Sequence, residues 1–341
     1  MNQDIDEIAD MATDERTARI ILTLGCEPGD GLAARLVAEQ GALSTVHQIA
    51  GATGPNQRMA QWRGGIAQRL DLAGVNDVLS QTRDLGLGTL IPSDPGWPAL
   101  AGDATAHPLV LWTLGDSSVL VDREPRVAMV GARVATDYGQ RVTRDLAAGL
   151  AQLGVTVVTT GGHGIDTAAA IGTAAGDGRS IAVLPGGLDR PYPSSNAGLF
   201  HWITGDGGVL VSAEPPGQRT GRTRQVLRGR LVAALSDAVV VTEAGHHTSA
   251  LKIAHEAVRL GRPVGAVPGE ITIPSSAGSN ELLRQHTARV ITHASDAMDL
   301  ITAPRPATPP VAAGNVSSRR DPSRPRPPEP GPPISPAMIP L

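Results

Sequence analysis

Three glycine-bearing segments carry the most chemically suggestive pattern in the chain: Val130-Gly131-Ala132-Arg133-Val134-Ala135-Thr136, Thr159-Thr160-Gly161-Gly162-His163-Gly164-Ile165-Asp166 and Leu184-Pro185-Gly186-Gly187-Leu188-Asp189. Each follows a short apolar run, and glycine at such a point lets backbone N–H groups approach an anion ahead of a helix. In the first segment Gly131, Arg133 and Thr136 form a small cradle for one phosphate, with the guanidinium supplying charge-assisted bonds. The second offers Thr160, Gly161, Gly162, His163 and Gly164. Its Asp166 fits either a helix-start charge favoured by the macrodipole or a ligand-facing group. His163 fits a ligand contact, a general base or a plain surface residue. Gly186 and Gly187 in the third segment close the same edge. Three such loops at consecutive strand ends predict one concave site.

A basic cluster follows. Arg219, Arg222, Arg224, Arg228 and Arg230 lie between Gly217 and Arg230 with no acidic residue in that window. Beside a phosphate-holding crevice, such a cluster supplies the salt-dependent, sequence-independent attraction typical of nucleic-acid backbones; the bland alternative is a solvated helix face. Arg224, Arg228 and Arg230 are the expected DNA or phosphate contacts, joined by Lys252, the single lysine of the chain. The dominance of arginine also suits a GC-rich genome.

Other chemistries find little support. The first glycine turn lacks the full Gly-x-Gly-x-x-Gly spacing of dinucleotide sites, and no Walker-type Gly-Lys-Ser/Thr loop occurs, so no cofactor is expected. His246 and His247 are adjacent and His255 lies too far along to complete His-Glu-x-x-His, so no metal is expected either. Cys26 is the only cysteine, which rules out an internal disulfide. No nucleophile stands beside a recognisable base, and the expectation is a protein that is not an enzyme.

The elements that must position these loops follow from hydrophobic periodicity. Apolar runs at 127–130, 155–158, 180–184, 209–212, 238–242 and 263–267 alternate with helical patterns at 138–153, 228–235 and 248–260, which predicts an α/β, Rossmann-like, doubly wound and mainly parallel sheet. Ligands in such sheets sit at the carboxyl ends of the strands, where the glycines fall. Residues 15–79 read as helical, giving a small N-terminal domain over 1–80. Its turn Glu27-Pro28-Gly29-Asp30-Gly31 reads either as a helix-hairpin-helix phosphate site or as a plain helical turn. Residues 81–115 look like an arm delivering one strand to the sheet of a 116–302 domain. Residues 303–341 are rich in Pro, Arg and Ser, the composition of a disordered tail, which either contacts DNA through Arg319, Arg320, Arg324 and Arg326 or is merely solvated.

Composition sets the remaining bounds. The 341 residues carry a net charge of −4, so the overall field does not attract nucleic acid and local patches must. Aromatic residues make up 2 % of the chain, too few for many stacking platforms, which directs recognition to the phosphate backbone. The acidic start and the lack of a run of about 18 apolar residues predict a protein neither exported nor membrane-spanning, hence cytoplasmic.

The order of the motifs resembles the DprA/Smf DNA-processing family. The resemblance rests on Gly131-Ala132-Arg133, Gly164-Ile165-Asp166, Gly187-Leu188-Asp189 with Tyr192-Pro193, Glu214-Pro215-Pro216-Gly217, Arg228-Gly229-Arg230 ahead of Ala234-Leu235-Ser236, Glu243-Ala244, Val267-Pro268-Gly269 and Gly278-Ser279-Asn280. Trp97-Pro98-Ala99-Leu100 in the arm adds to it. The resemblance implies a non-enzymatic homodimer that binds single-stranded DNA and helps load the recombinase RecA in transformation or recombination. It implies that Arg133 holds a DNA phosphate, and that Arg228 and Arg230 match arginines flanking an asparagine. Here that asparagine is Gly229, the family's arginine before Gly-Ile-Asp is His163, and its Ser-Gly-Ser reads Thr248-Ser249-Ala250. Two alternatives share the crevice: a nucleotide hydrolase similar to the lysine-decarboxylase-like phosphoribohydrolases, whose threonine and glutamate are missing after Pro185-Gly186-Gly187, and a sensor of a nucleotide signal.

Overall fold

The computed structural model describes residues 3–27, 29–51 and 57–302. The expected tail and Pro28 lie outside the described residues. Six helices come first: α1 (Gln3–Met11), α2 (Glu15–Gly25), α3 (Gly31–Gln40), α4 (Ala42–Ala50), α5 (Gln57–Ala67) and α6 (Leu72–Asp84). Their starts follow from local chemistry. Asp14, Asp30 and Asp71 each accept hydrogen bonds from N–H groups of the helix they precede, satisfying donors a helix cannot satisfy itself.

The arm contributes β1 (Gly88–Leu90) and β2 (Leu111–Gly115), two strands where the sequence predicts one. Beyond it the β/α alternation is regular: β3 (Arg126–Val130), α7 (Asp137–Gln152), β4 (Thr156–Thr159), α8 (Ile165–Ala175), β5 (Ser180–Leu184), α9 (Ala197–Gly205), β6 (Val209–Ser212), α10 (Arg222–Leu235), β7 (Ala238–Val241), α11 (Ser249–Arg259), β8 (Val264–Ala266), α12 (Ala277–Arg284), β9 (Arg289–Val290) and α13 (Ala294–Thr302). The nine strands form one sheet in the order β1-β2-β6-β5-β4-β3-β7-β8-β9. The pairs β1–β2 and β2–β6 are antiparallel and all others parallel, so the arm caps one edge of a doubly wound sheet.

Strands β3 to β7 are buried throughout, because helices cover both faces, and this explains why they read as unbroken apolar runs. With few aromatics, the core is built mainly from Val, Ile, Leu and Ala; Phe200 is buried with them, as is Trp112, whose Nε1 donates to Thr82 Oγ1. Ile20 and Val78 of the N-terminal helices share a cluster with Val110, Trp112, Ala182 and Leu210, so the helical module and the sheet edge have a common core.

Helix α10 begins six residues before the expected 228, at Arg222. Arg222, Arg224 and Gln225 are good helix formers, but they bury no apolar face, so hydrophobic periodicity alone misses them.

Candidate nucleic-acid interface

The direction of chain growth reverses beside β3: β4, β5 and β6 extend one way, and β7, β8 and β9 the other. Ligands of open α/β sheets bind at this reversal. Here the crevice is filled from within. Glu243, at the end of β7 and 2 % exposed, accepts hydrogen bonds from Thr136 N at 3.1 Å and Thr136 Oγ1 at 3.0 Å, and its main-chain oxygen accepts from Ala132 N. A β-carbon on Gly139 would overlap its carboxylate. Thr136 caps α7 by accepting from Gly139 N, so its hydroxyl is committed to the fold.

The open cleft lies one strand over, above β3, β4 and β5 and beneath the first turns of α10. It encloses about 340 Å³, solvent included, between Arg133, Thr160, Gly162, His163, Gln225 and Arg228 on its polar side and Pro185, Tyr192 and Pro193 on its apolar side. Two glycines make the floor possible. Gly164 has φ +67°, and a side chain there would collide with the main-chain oxygens of Ala132 and Arg133. Gly161 has φ +65° and sits against Leu184 and Phe200. Only glycine takes this left-handed backbone without cost in so little space.

Arg228 is the electrostatic centre. It is 7 % exposed, its Nη1 donates to Thr160 O at 2.7 Å, and its buried Nε has no acceptor among the described residues. Burial pushes the guanidinium down to about 10, Asp166 opposes the shift and Arg133 reinforces it; the group stays charged at neutral pH. Asp166 is wholly enclosed and accepts from the N–H of Thr160 at 2.6 Å and from its hydroxyl. Burial raises its pKa, while Thr160 and Arg228 hold it down. Of the two roles the sequence leaves open for Asp166, the helix-start charge describes its place in the first turn of α8, and the carboxylate points inward and braces the loop.

The remaining donors face solvent. Arg133 is exposed and its Nη2 donates to Gln225 Oε1 at 3.2 Å. The N–H groups of Gly162, His163 and Gly164, directly ahead of α8, hold no hydrogen bond among the described residues. His163 Nε2 lies 3.3 Å from Ser195 Oγ, and no carboxylate completes a triad there among the described residues. The arrangement presents two guanidinium groups and a helix-start amide cluster to one anionic group.

Three residues outside the expected site set support the cleft and its arginines. Asn196 Nδ2 donates to the oxygens of Gly161 and Gly162 at 3.0 and 3.1 Å and to Thr167 Oγ1, tying the β4–α8 loop to the turn before α9. Gln225 steadies Arg133. Glu214, buried at the end of β6, binds Arg224 Nε at 2.6 Å. This corrects the reading of the arginine window as free of neutralising carboxylate: the partner stands three residues outside the window and is folded back onto it. No local signal marks Asn196 or Gln225; Glu214 is recognisable only through the Glu-Pro-Pro-Gly motif.

The other expected site residues fall elsewhere. Gly186 and Gly187 are buried behind the cleft wall, with Gly187 N donating to Gln218 O. Arg230 is two helical positions from Arg228, so it points to the opposite side of α10, where its charge acts on Glu256. Lys252 lies exposed on α11, outside the cleft lining. Gly229 packs on α11, where a β-carbon would come within 3.0 Å of Ile253, so this departure from the family pattern sits at a helix contact and not in the cleft.

Fold and site together define a Rossmann-like α/β protein with a cleft lined by Arg133 and Arg228 at the carboxyl ends of its parallel strands. The chain belongs to the DNA recombination-mediator protein A family, whose model matches residues 88–302. It is 45 % identical over 227 residues to a putative DNA processing protein DprA of Mycobacterium tuberculosis H37Rv, covering 63 % of this chain and 58 % of that protein. The match therefore spans little more than half the length of that relative. DprA of Bacillus subtilis is 29 % identical over 219 residues, 64 % of this chain and 73 % of that protein. Among solved structures, DprA of Streptococcus pneumoniae superposes with a TM-score of 0.65 at 24 % identity over 86 % of this chain and 95 % of that one, a likeness of fold. DprA of Helicobacter pylori, in a structure describing that protein's single-stranded DNA binding mode, superposes with a TM-score of 0.55 at 27 % identity over 62 % and 94 %. Among the described residues no helix is long and apolar enough to cross a membrane.

Proposed function

We propose that this chain is a non-enzymatic, cytoplasmic DNA-processing protein that binds single-stranded DNA in the β3–β5 cleft, acts as a homodimer and helps load RecA. Membership of the recombination-mediator family supports the reading at the level of DNA processing. The observation that carries it is the pairing of buried Arg228 with exposed Arg133 around unbonded amides at the start of α8. Arg228 provides a buried positive floor and Arg133 an exposed clamp. Exposed Arg219 and Arg222 extend the field along the strand. Contacts of this kind engage phosphates and carry no base information, so binding is expected to be salt-sensitive and indifferent to sequence. The phosphoribohydrolase alternative is weakened by the packing of Gly186 and Gly187 behind the wall, where they offer no phosphate loop.

Fluorescence anisotropy with labelled oligo-dT, run beside an AMP hydrolysis assay on the same preparation, tests the reading. Salt-sensitive binding weakened by Arg133→Ala, without ribose release, is the expected result. Absence of binding at low salt, or release of ribose from AMP, would overturn it.

A further inference from the structure

A second groove lies on the N-terminal module, between α3, α5 and the short turn Ala104–Ala106 of the arm. It encloses about 840 Å³, open solvent included, and is lined by Asp30, Arg35, Arg58, Trp62 and Thr105 together with Gly31 and Leu32. The one carboxylate in the lining is committed to the fold. Asp30 accepts from Leu32 N and Ala33 N and takes the Trp62 Nε1–H at 2.7 Å. Two consequences follow. The N-terminus of α3 is capped by its own side chain, so the helix-hairpin-helix reading of this turn loses its phosphate donors. The half-buried indole is pinned by its edge, which fixes the plane of the ring.

The arginines beside it are uncommitted. Arg35 uses only Nε, on Gly31 O, and Arg58 is exposed with no side-chain hydrogen bond or ion pair among the described residues. A half-buried indole held by its edge, beside the unbonded Nη groups of Arg35 and the guanidinium of Arg58, is a combination suited to single-stranded nucleic acid: a base stacks on the exposed part of the ring and the adjoining phosphates meet the cations. In a chain with a net charge of −4 and 2 % aromatic residues, this grouping is not explained by general surface composition. The turn before α3 also touches α10. A β-carbon on Gly29 would lie 3.7 Å from Leu227, on the helix whose Gln225 and Arg228 line the main cleft.

We propose that this groove is a second contact for single-stranded DNA, in which a base stacks on Trp62 while Arg35 and Arg58 hold the flanking phosphates of a strand continuing from the main cleft along α10. The inference rests on the function proposed above. Its test is oligo-dT binding to the full chain with short and long oligonucleotides, comparing the wild type, Arg35→Ala/Arg58→Ala and Arg133→Ala, with intrinsic fluorescence of the wild type set against Trp62→Phe. Expected are unchanged short-oligonucleotide binding by the double variant, a roughly tenfold loss for the long one, and a salt slope smaller by about 1.4, at about 0.7 per phosphate on a single strand. The fluorescence difference assigned to Trp62 is quenched by the long oligonucleotide alone. Wild-type behaviour of the double variant with unquenched Trp62, while Arg133→Ala still weakens binding, overturns the second contact and leaves the first intact. No binding by the wild type overturns both.

Discussion

The two ends of β3 each bury an arginine, and the surroundings of the two differ in kind. At the amino end Arg126 is 7 % exposed and donates through Nη2 to Leu120 O at 2.5 Å, with Asp237 and Asp122 close enough to oppose the lowering of its pKa by burial. Around it, positive charge is matched by negative: Arg179 bridges Asp122 at 2.7 Å and Glu124 at 2.9 Å, and Arg262 reaches Asp237 at 3.4 Å. At the carboxyl end Arg228 is equally buried, yet the exposed cations nearby, Arg133, Arg219 and Arg222, have no carboxylate in ion-pair range among the described residues. The same side chain serves architecture where acids surround it. Where the acids present, Asp166 and Glu214, face Arg228 and Arg224, the fold leaves Arg133, Arg219 and Arg222 as exposed positive charge beside the cleft.

The contrast is sharpened first by removing the buried cation. Arg228→Met leaves Asp166 enclosed without its counter-charge, and urea unfolding is expected to show a loss of about 3 kcal/mol together with lost oligo-dT binding. Arg126→Met should destabilise comparably and leave the DNA affinity of the remaining folded protein unchanged. Equal loss of intrinsic affinity in both variants would erase the distinction between the two ends.

Next in size is Arg133→Ala. The side chain is exposed and bonds only the Gln225 amide, so stability should stay within about 0.5 kcal/mol of wild type. Oligo-dT affinity should drop about tenfold, the scale of one charge-assisted phosphate contact. A normal affinity would show that the exposed clamp does not engage the strand.

A third effect concerns pH. Burial raises the pKa of Asp166 above its unfolded value, so the folded state holds that proton more tightly. Its contribution to stability is then fully present below the unfolded pKa of about 4 and is lost as pH rises through the higher folded value. Glu214, also raised by burial, acts with the same sign. Asp166→Asn keeps an acceptor for Thr160 and should flatten the decline of unfolding free energy above about pH 4; a slope identical to wild type would assign the decline elsewhere.

The smallest effect is expected from Arg179→Ala at the amino end. Its partly exposed bridges are worth less than about 1 kcal/mol after solvent screening, and oligo-dT binding should not change.

The sheet was legible in the sequence because buried parallel strands are apolar on both faces: 180–184 and 209–212 are found at those limits. The antiparallel β1 was not, since a three-residue strand of Gly, Thr and Leu has no periodicity to detect. The glycine loops lie at the carboxyl ends of the strands, and Arg133, Thr160, Gly162, His163 and Arg228 line one cleft there. What stayed hidden was which partner each group takes. Arg224 is neutralised from ten residues away by Glu214, Thr136 is taken by Glu243 from 107 residues away, and Arg230 is turned aside by two helical positions. Composition within a window cannot register pairings made by the fold.

The most direct measurement is the salt dependence of oligo-dT affinity for the wild type, Arg133→Ala and Arg179→Ala. A carboxyl-end cleft that binds phosphate predicts a slope of log affinity against log salt lower by about 0.7 for Arg133→Ala and unaltered for Arg179→Ala. Equal slopes in all three proteins, or equal reductions in both variants, would contradict it.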